Sequence, residues 1–110
     1  MGRYGQNEAA KFLQTIGMTV MAENFRTRRG EVDLIMADGE YVVFVEVKYR
    51  RSLRHGYPRE AVGISKQKRI RDAALHFISR NQLDQDFRFD VVELYEATDG
   101  LTINHIKNAF

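Results

Sequence analysis

Apolar positions recur along this chain with two different periods. Within residues 5–16, Ala9, Phe12, Leu13 and Ile16 fall at helical spacing, and Gly17 stands where a left-handed residue closes a helix. Met18 to Phe25 reads as a first strand, followed by the basic turn Arg26-Thr-Arg-Arg-Gly30. Alternation returns in Glu31 to Met36 and in Tyr41 to Lys48. Asp38-Gly39 between them is the strongest short-range signal for a two-residue hairpin loop, because both central positions accept positive φ. From Tyr49 to Gly63 the period is lost and Gly56, Pro58 and Gly63 punctuate a long loop or arm. Ser65 is placed to cap a second helix running to about Asn81, with Ile70, Ala73, Ala74, Phe77 and Ile78 as its buried face. Phe87 to Tyr95 and Leu101 to Ile106 read as two more strands, turned at Asp99-Gly100.

Helix, three strands, helix, two strands predicts one α/β domain over residues 1–110, with a mixed central sheet of about five strands flanked by helices. A crossover through the second helix returns the chain parallel to an earlier strand. A length of 110 residues supports a single core. No apolar run approaches the roughly 20 residues of a membrane span, and residues 1–8 lack the apolar stretch of a secretory signal. The cytoplasm is the expected compartment. The sequence holds no cysteine, which excludes disulfides and thiolate metal sites.

With Asp38-Gly39 as the loop, Asp33 is expected opposite Phe44, and Glu31 opposite Glu46. Glu31, Asp33 and Ile35 then share a face with Val42, Phe44, Glu46 and Lys48. Asp33 and Glu46 become diagonal neighbours, within the roughly 7–8 Å that lets two carboxylates share one ion. Crowded carboxylates repel, and a hard divalent cation relieves them. Lys48 points the same way and can orient a water or offset charge on a phosphate. Glu8, one helical turn before Phe12, is the preferred third carboxylate, with Glu31 as the other candidate. The plain alternative is a hairpin end whose charges form surface pairs worth about 0–1 kcal/mol.

Net charge is only +2, yet nine basic residues against the single acid Glu60 make the segment from Lys48 to Arg71 +8, leaving −6 for the remainder. Such a block, interleaved with Tyr49, His55 and Tyr57, is the footprint of a surface that meets phosphates. Arg28, Arg29, Arg50, Arg51, Arg54, Lys66 and Lys68 are its candidate contacts, and Tyr49 and Tyr57 its candidate stacking residues. A solvated loop and helix face is the ordinary alternative. His55, His76 and His105 have no metal-ligand spacing.

Gly30-Glu-Val-Asp33-Leu-Ile, followed by Phe44-Val-Glu46-Val-Lys48-Tyr-Arg50, resembles the core motif of the PD-(D/E)xK nuclease superfamily. More narrowly, the chain resembles the YraN family of small bacterial proteins, itself similar to archaeal Holliday junction resolvases. That likeness extends to Gly2-Arg-Tyr-Gly5, Glu8-Ala-Ala, Lys66-Gln-Lys68, Phe89-Asp-Val-Val92 and His105 to Phe110. Val32 stands where the superfamily motif has its proline, which supplies no ligand. The resemblance implies a restriction-endonuclease-like core. It implies Asp33 and Glu46 as metal ligands, Glu8 as a supporting one, Lys48 as the catalytic lysine and Gln67 as a polar residue of the active-site helix. Together with the charge pattern it sets the expectation of a Mg²⁺- or Mn²⁺-dependent endonuclease for branched or structured DNA. A homodimer would suit cutting two strands. The rival expectation is a non-catalytic nucleic-acid clamp, or an accessory subunit, using the segment from Lys48 to Arg71.

Overall fold

The computed structural model describes residues 3–51 and 62–110. Seven elements follow in the expected order: α1 (Arg3–Thr15), β1 (Thr19–Arg26), β2 (Glu31–Asp38), β3 (Tyr41–Arg50), α2 (Ile64–Arg80), β4 (Phe87–Ala97) and β5 (Gly100–Ile106). The strands form one five-stranded sheet in the order β1-β2-β3-β4-β5. Every neighbouring pair is antiparallel except β3 with β4, which run parallel from Val42 beside Phe87 to Arg50 beside Tyr95. No helix among the described residues is long and apolar enough to cross a membrane.

The sheet is apolar on both faces, and one helix covers each. Ala9, Ala10 and Leu13 of α1 pack on Leu34, Met36, Val43, Val45, Val47, Val92 and Leu94. On the other face, Ile70, Ala73, Ala74 and Phe77 of α2 pack on Ile35, Val42, Phe44, Phe89 and Val91. Phe44 anchors this second layer, with its ring centroid 5.6 Å from that of Phe89 and 6.1 Å from that of Phe77. Of the expected apolar positions in α1, Ile16 is exposed and Phe12 only partly buried. Small residues, Ala9 and Ala10, let the helix approach the sheet instead. Gly17 does close α1, at φ +99°.

Besides the β4–β5 turn, which is Thr98-Asp99 rather than Asp99-Gly100 because Ala97 pairs with Gly100, two local expectations are corrected. The β2–β3 loop is Gly39-Glu40, not Asp38-Gly39, since Asp38 pairs with Tyr41. Gly39 has φ +59° and Glu40 is not in the left-handed region, the pattern of a type II′ turn, which asks for glycine only at its first position. Asp38 remains in the strand, where its Oδ2 accepts a 2.8 Å hydrogen bond from Arg88 Nη2 on β4. The register therefore shifts by two residues, which leaves every side chain on its predicted face. The second correction is the start of α2. Gly63, in extended conformation, is the N-cap residue and no side chain caps the helix, so Ser65 does not serve that role. Gln67 secures this end instead, its backbone N–H donating to Gly63 O and its Nε2 to Val62 O, both at 2.8 Å.

Gly30, just before β2, is packed against the helix. A Cβ built there would lie 2.1 Å from the backbone oxygen of Arg69 and 2.7 Å from its carbonyl carbon. Backbone cannot yield as a flexible side chain does, so only glycine permits this approach. Gly30→Ala is expected to destabilise the protein by about 1–3 kcal/mol through forced separation of turn and helix. Gly63→Ala, whose Cβ meets nothing within 4 Å, should change stability by less than about 0.5 kcal/mol. Urea titrations of both variants check the contrast, and equal stabilities would remove the packing argument.

Candidate active site

β2 and β3 bring the two key carboxylates directly together. Their ladder runs to Leu34 beside Val45, and the next step along it sets Asp33 opposite Glu46. The expected diagonal relation becomes a facing one. Asp33 also takes over a backbone role, its Oδ2 accepting the Val47 N–H at 2.8 Å. Glu46, beside it, is buried.

The electrostatic consequence falls on Asp33. Burial, then the negative charge of Glu46, push its pKa up to about 7 from 3.8, with the Val47 N–H and Lys66 opposing. Two adjacent carboxylates of which one retains a proton near neutrality are poised to exchange that proton for a cation.

A cavity of about 930 Å³ opens over this pair. One wall is the turn of residues 26–31, the floor is Asp33 and Glu46, and the opposite wall is Lys66, Arg69 and Ile70 of α2. Thr27 makes the turn rigid. Its Oγ1 accepts the backbone N–H groups of Arg29 and Gly30 at 3.1 Å each, and its own N–H donates to Gly30 O at 2.8 Å. Arg26 pairs with Glu31 at 2.6 Å, so Glu31 is spent on a neighbouring arginine rather than offered to the floor.

Lys66 reaches furthest in. Its Nζ lies 2.5 Å from Glu46 Oε2, and this bond holds the ammonium above the ordinary lysine range. The charge pattern gave Lys66 as a candidate phosphate contact; it lies one turn before Ile70 and in phase with Ala73 and Phe77, the buried stripe of α2. That phase was the available signal for its place, and Arg69, beside Ile70, shares the wall.

Other predicted residues are distributed differently. Glu8 is not brought to the pair, because α1 covers the opposite face of the sheet, where Glu8 bonds Lys11 at 3.3 Å. Lys48 stands two residues beyond Glu46 on the same face, beside Glu93 of β4, and is not among the described residues lining the cavity. Gln67 is engaged with the backbone at the start of α2. Arg28 and Arg29 line the cavity, whereas Arg50, Arg51 and Lys68 are exposed outside it. Arg71 of the basic segment instead covers the rings of Phe89 and Phe110, at 4.7 and 5.5 Å. Tyr49 is occupied on the α1 face, against Tyr4 and with its hydroxyl 3.1 Å from Glu96. Arg54, His55 and Tyr57 lie outside the described residues.

Among the described residues no three His, Cys, Asp or Glu side chains converge as a metal-binding group. Asp33 and Glu46 by themselves fit a hard cation of the Mg²⁺ type, which is commonly held by one or two carboxylates, with waters and substrate phosphate completing its shell.

A five-stranded mixed sheet with one helix on each face, carrying an acidic pair under a basic rim, defines an α/β protein compatible with a restriction-endonuclease-like core. The model of the uncharacterised protein family UPF0102 matches residues 5–94. A UPF0102 protein of Caldicellulosiruptor saccharolyticus is 44% identical over 113 residues, covering 100% of this chain and 96% of the relative. That of Acetivibrio thermocellus is 45% identical over 116 residues, covering 99% and 89%, and that of Syntrophus aciditrophicus 43% over 110 residues, covering 99% and 87%. The chain belongs to the UPF0102 family, the YraN family that its motifs resemble.

The raised Asp33 pKa makes stability depend on pH with a definite sign. Between the unfolded value of 3.8 and the folded value of about 7, the folded protein holds a proton that the unfolded chain has lost, so this group's contribution falls as pH rises through that window. Asp33→Asn keeps an oxygen for the Val47 N–H and removes the titration. The metal-free variant should therefore gain roughly 1–3 kcal/mol over wild type at about pH 8 and little or nothing at about pH 4. Paired chemical denaturations at the two pH values measure this, and a constant difference would refute the raised Asp33 pKa.

Proposed function

We propose that this protein is a metal-dependent endonuclease that hydrolyses phosphodiester bonds in branched or otherwise structured DNA. The observation that carries the reading is the Asp33–Glu46 pair on the floor of a cavity whose walls hold Arg28, Arg29, Lys66 and Arg69. Acid below and base around it match a polyanion that arrives with, or completes, the shell of a divalent cation.

Asp33 and Glu46 would hold Mg²⁺ or Mn²⁺. Bound there, such an ion polarises a phosphoryl oxygen and lowers the pKa of a coordinated water. The arginines of the Thr27-closed turn and Arg69 grip non-bridging phosphate oxygens, for which the guanidinium fork is suited. Lys48, next on the Glu46 face, offsets charge developing on the reacting phosphate and orients the attacking water. Support for the substrate class comes from the resemblance to junction resolvases and the basic segment. Two cuts at a junction would call for two copies of the chain.

Cleavage of single-stranded, duplex, flap and four-way-junction DNA in Mg²⁺ or Mn²⁺ tests the reading. Asp33→Asn and Glu46→Gln should each abolish metal-dependent products while leaving the circular dichroism spectrum unchanged, since each amide retains the shape and loses the charge. Near wild-type cleavage by either would overturn the assignment. Replacing Arg28, Arg29 and Arg69 together by alanine should weaken duplex binding and reduce its log–log salt slope by about 0.9 for each phosphate no longer neutralised. Binding with full salt dependence but no cleavage on any substrate would favour a non-catalytic clamp.

A further inference from the structure

The ion pair between Lys66 and Glu46 is unequal. The Glu46 side chain is 5% exposed and that of Lys66 61% exposed, with 2.5 Å between Nζ and Oε2. The carboxylate, enclosed beside Asp33, has little water to turn to. The lysine sits in the first turn of α2, where its long side chain can swing outward without disturbing the buried stripe of Ile70, Ala73 and Phe77. Among the described basic residues lining the cavity, it is the one whose charged group rests on the floor's carboxylate.

We propose that Lys66 is a built-in counter-ion of the Asp33–Glu46 pair, competing with a divalent cation for Glu46 and yielding when a phosphodiester in the cavity offers its ammonium another anion. This rests on the proposed hydrolytic function and adds a coupling to it. A cation arriving alone must displace Lys66 into a cavity already bordered by Arg28, Arg29 and Arg69. Like charges then crowd one another. A phosphate in the same cavity accepts the displaced ammonium, so nucleic acid raises metal affinity and, by thermodynamic reciprocity, metal raises nucleic-acid affinity.

Isothermal titration calorimetry of Mn²⁺ into the chelator-stripped full chain reads this directly, with and without a duplex carrying cleavage-resistant phosphorothioate linkages. Without DNA, Lys66→Met should bind Mn²⁺ roughly 5- to 150-fold more tightly than wild type, the usual span of a coupling between sites. Lys66→Gln should do the same, so the test does not hang on one replacement. The duplex should tighten Mn²⁺ binding more in wild type than in either variant. Equal or weaker Mn²⁺ affinity in both neutral variants overturns the counter-ion role while leaving the carboxylates as the metal pair. Mn²⁺ binding that survives Asp33→Asn, or fails in every protein, overturns that role together with the metal reading on which it rests.

Discussion

Two parallel strands cannot be joined by a tight turn, and the side-by-side run of β3 and β4 therefore requires a crossover. Here the crossover contains α2, which buries its apolar stripe on the sheet face carrying Phe44 and Phe89, the opposite face being covered by α1. Everything distinctive about the site follows. The start of α2 comes down beside the beginning of β2, Gly30 meets the backbone of Arg69, and Lys66 and Arg69 form a wall over the carboxylates. Remove the parallel pairing and the acidic pair would be an ordinary hairpin end.

The facing of Asp33 and Glu46 is secured at two levels. The type II′ turn at Gly39 sets the register, while Arg88 holds Asp38 at the near end of the hairpin. At the far end, Asp33 itself takes up the Val47 N–H. A side chain is used there where a backbone carbonyl would normally serve. That bond favours the charged carboxylate, yet burial and Glu46 outweigh it, which is why the group ends with a raised rather than a lowered pKa.

Much of this was legible in the sequence because strand alternation tolerates an even displacement. A loop at Asp38-Gly39 rather than Gly39-Glu40 moves the register by two residues, and a shift of two keeps Asp33, Phe44, Glu46 and Lys48 on one face. It did hide that the carboxylates face each other directly. Glu8 shows the opposite case: its position in α1 was read correctly, but no local pattern says which side of the sheet a helix will cover. Gly30 was visible only as a letter in a motif, since its meaning depends on a helix much further along the chain that touches it at Arg69. The role of Lys66 needed both facts, the phase of α2 and the side on which it packs.

The same sheet carries a second buried acidic site, and the contrast is informative. On the α1 face Asp90 is fully buried, yet it receives Arg88 Nε at 3.0 Å, the Asn108 N–H at 3.1 Å and a 2.8 Å bond with His105 Nε2. Burial pushes its pKa up, but the bonds to His105, Arg88 and Asn108 prevail and hold it below the ordinary value of 3.8. Its stabilisation is present above that unfolded value and is lost only as pH falls from there toward the folded one. Asp33 accepts the Val47 N–H and Glu46 the Lys66 ammonium, and burial with mutual repulsion still keeps the Asp33 pKa high. A fold able to satisfy a buried aspartate so completely on one face leaves a strained acidic pair on the other, under a cavity rimmed with arginine. That unequal provision separates an acid that braces the sheet from acids suited to bind a cation.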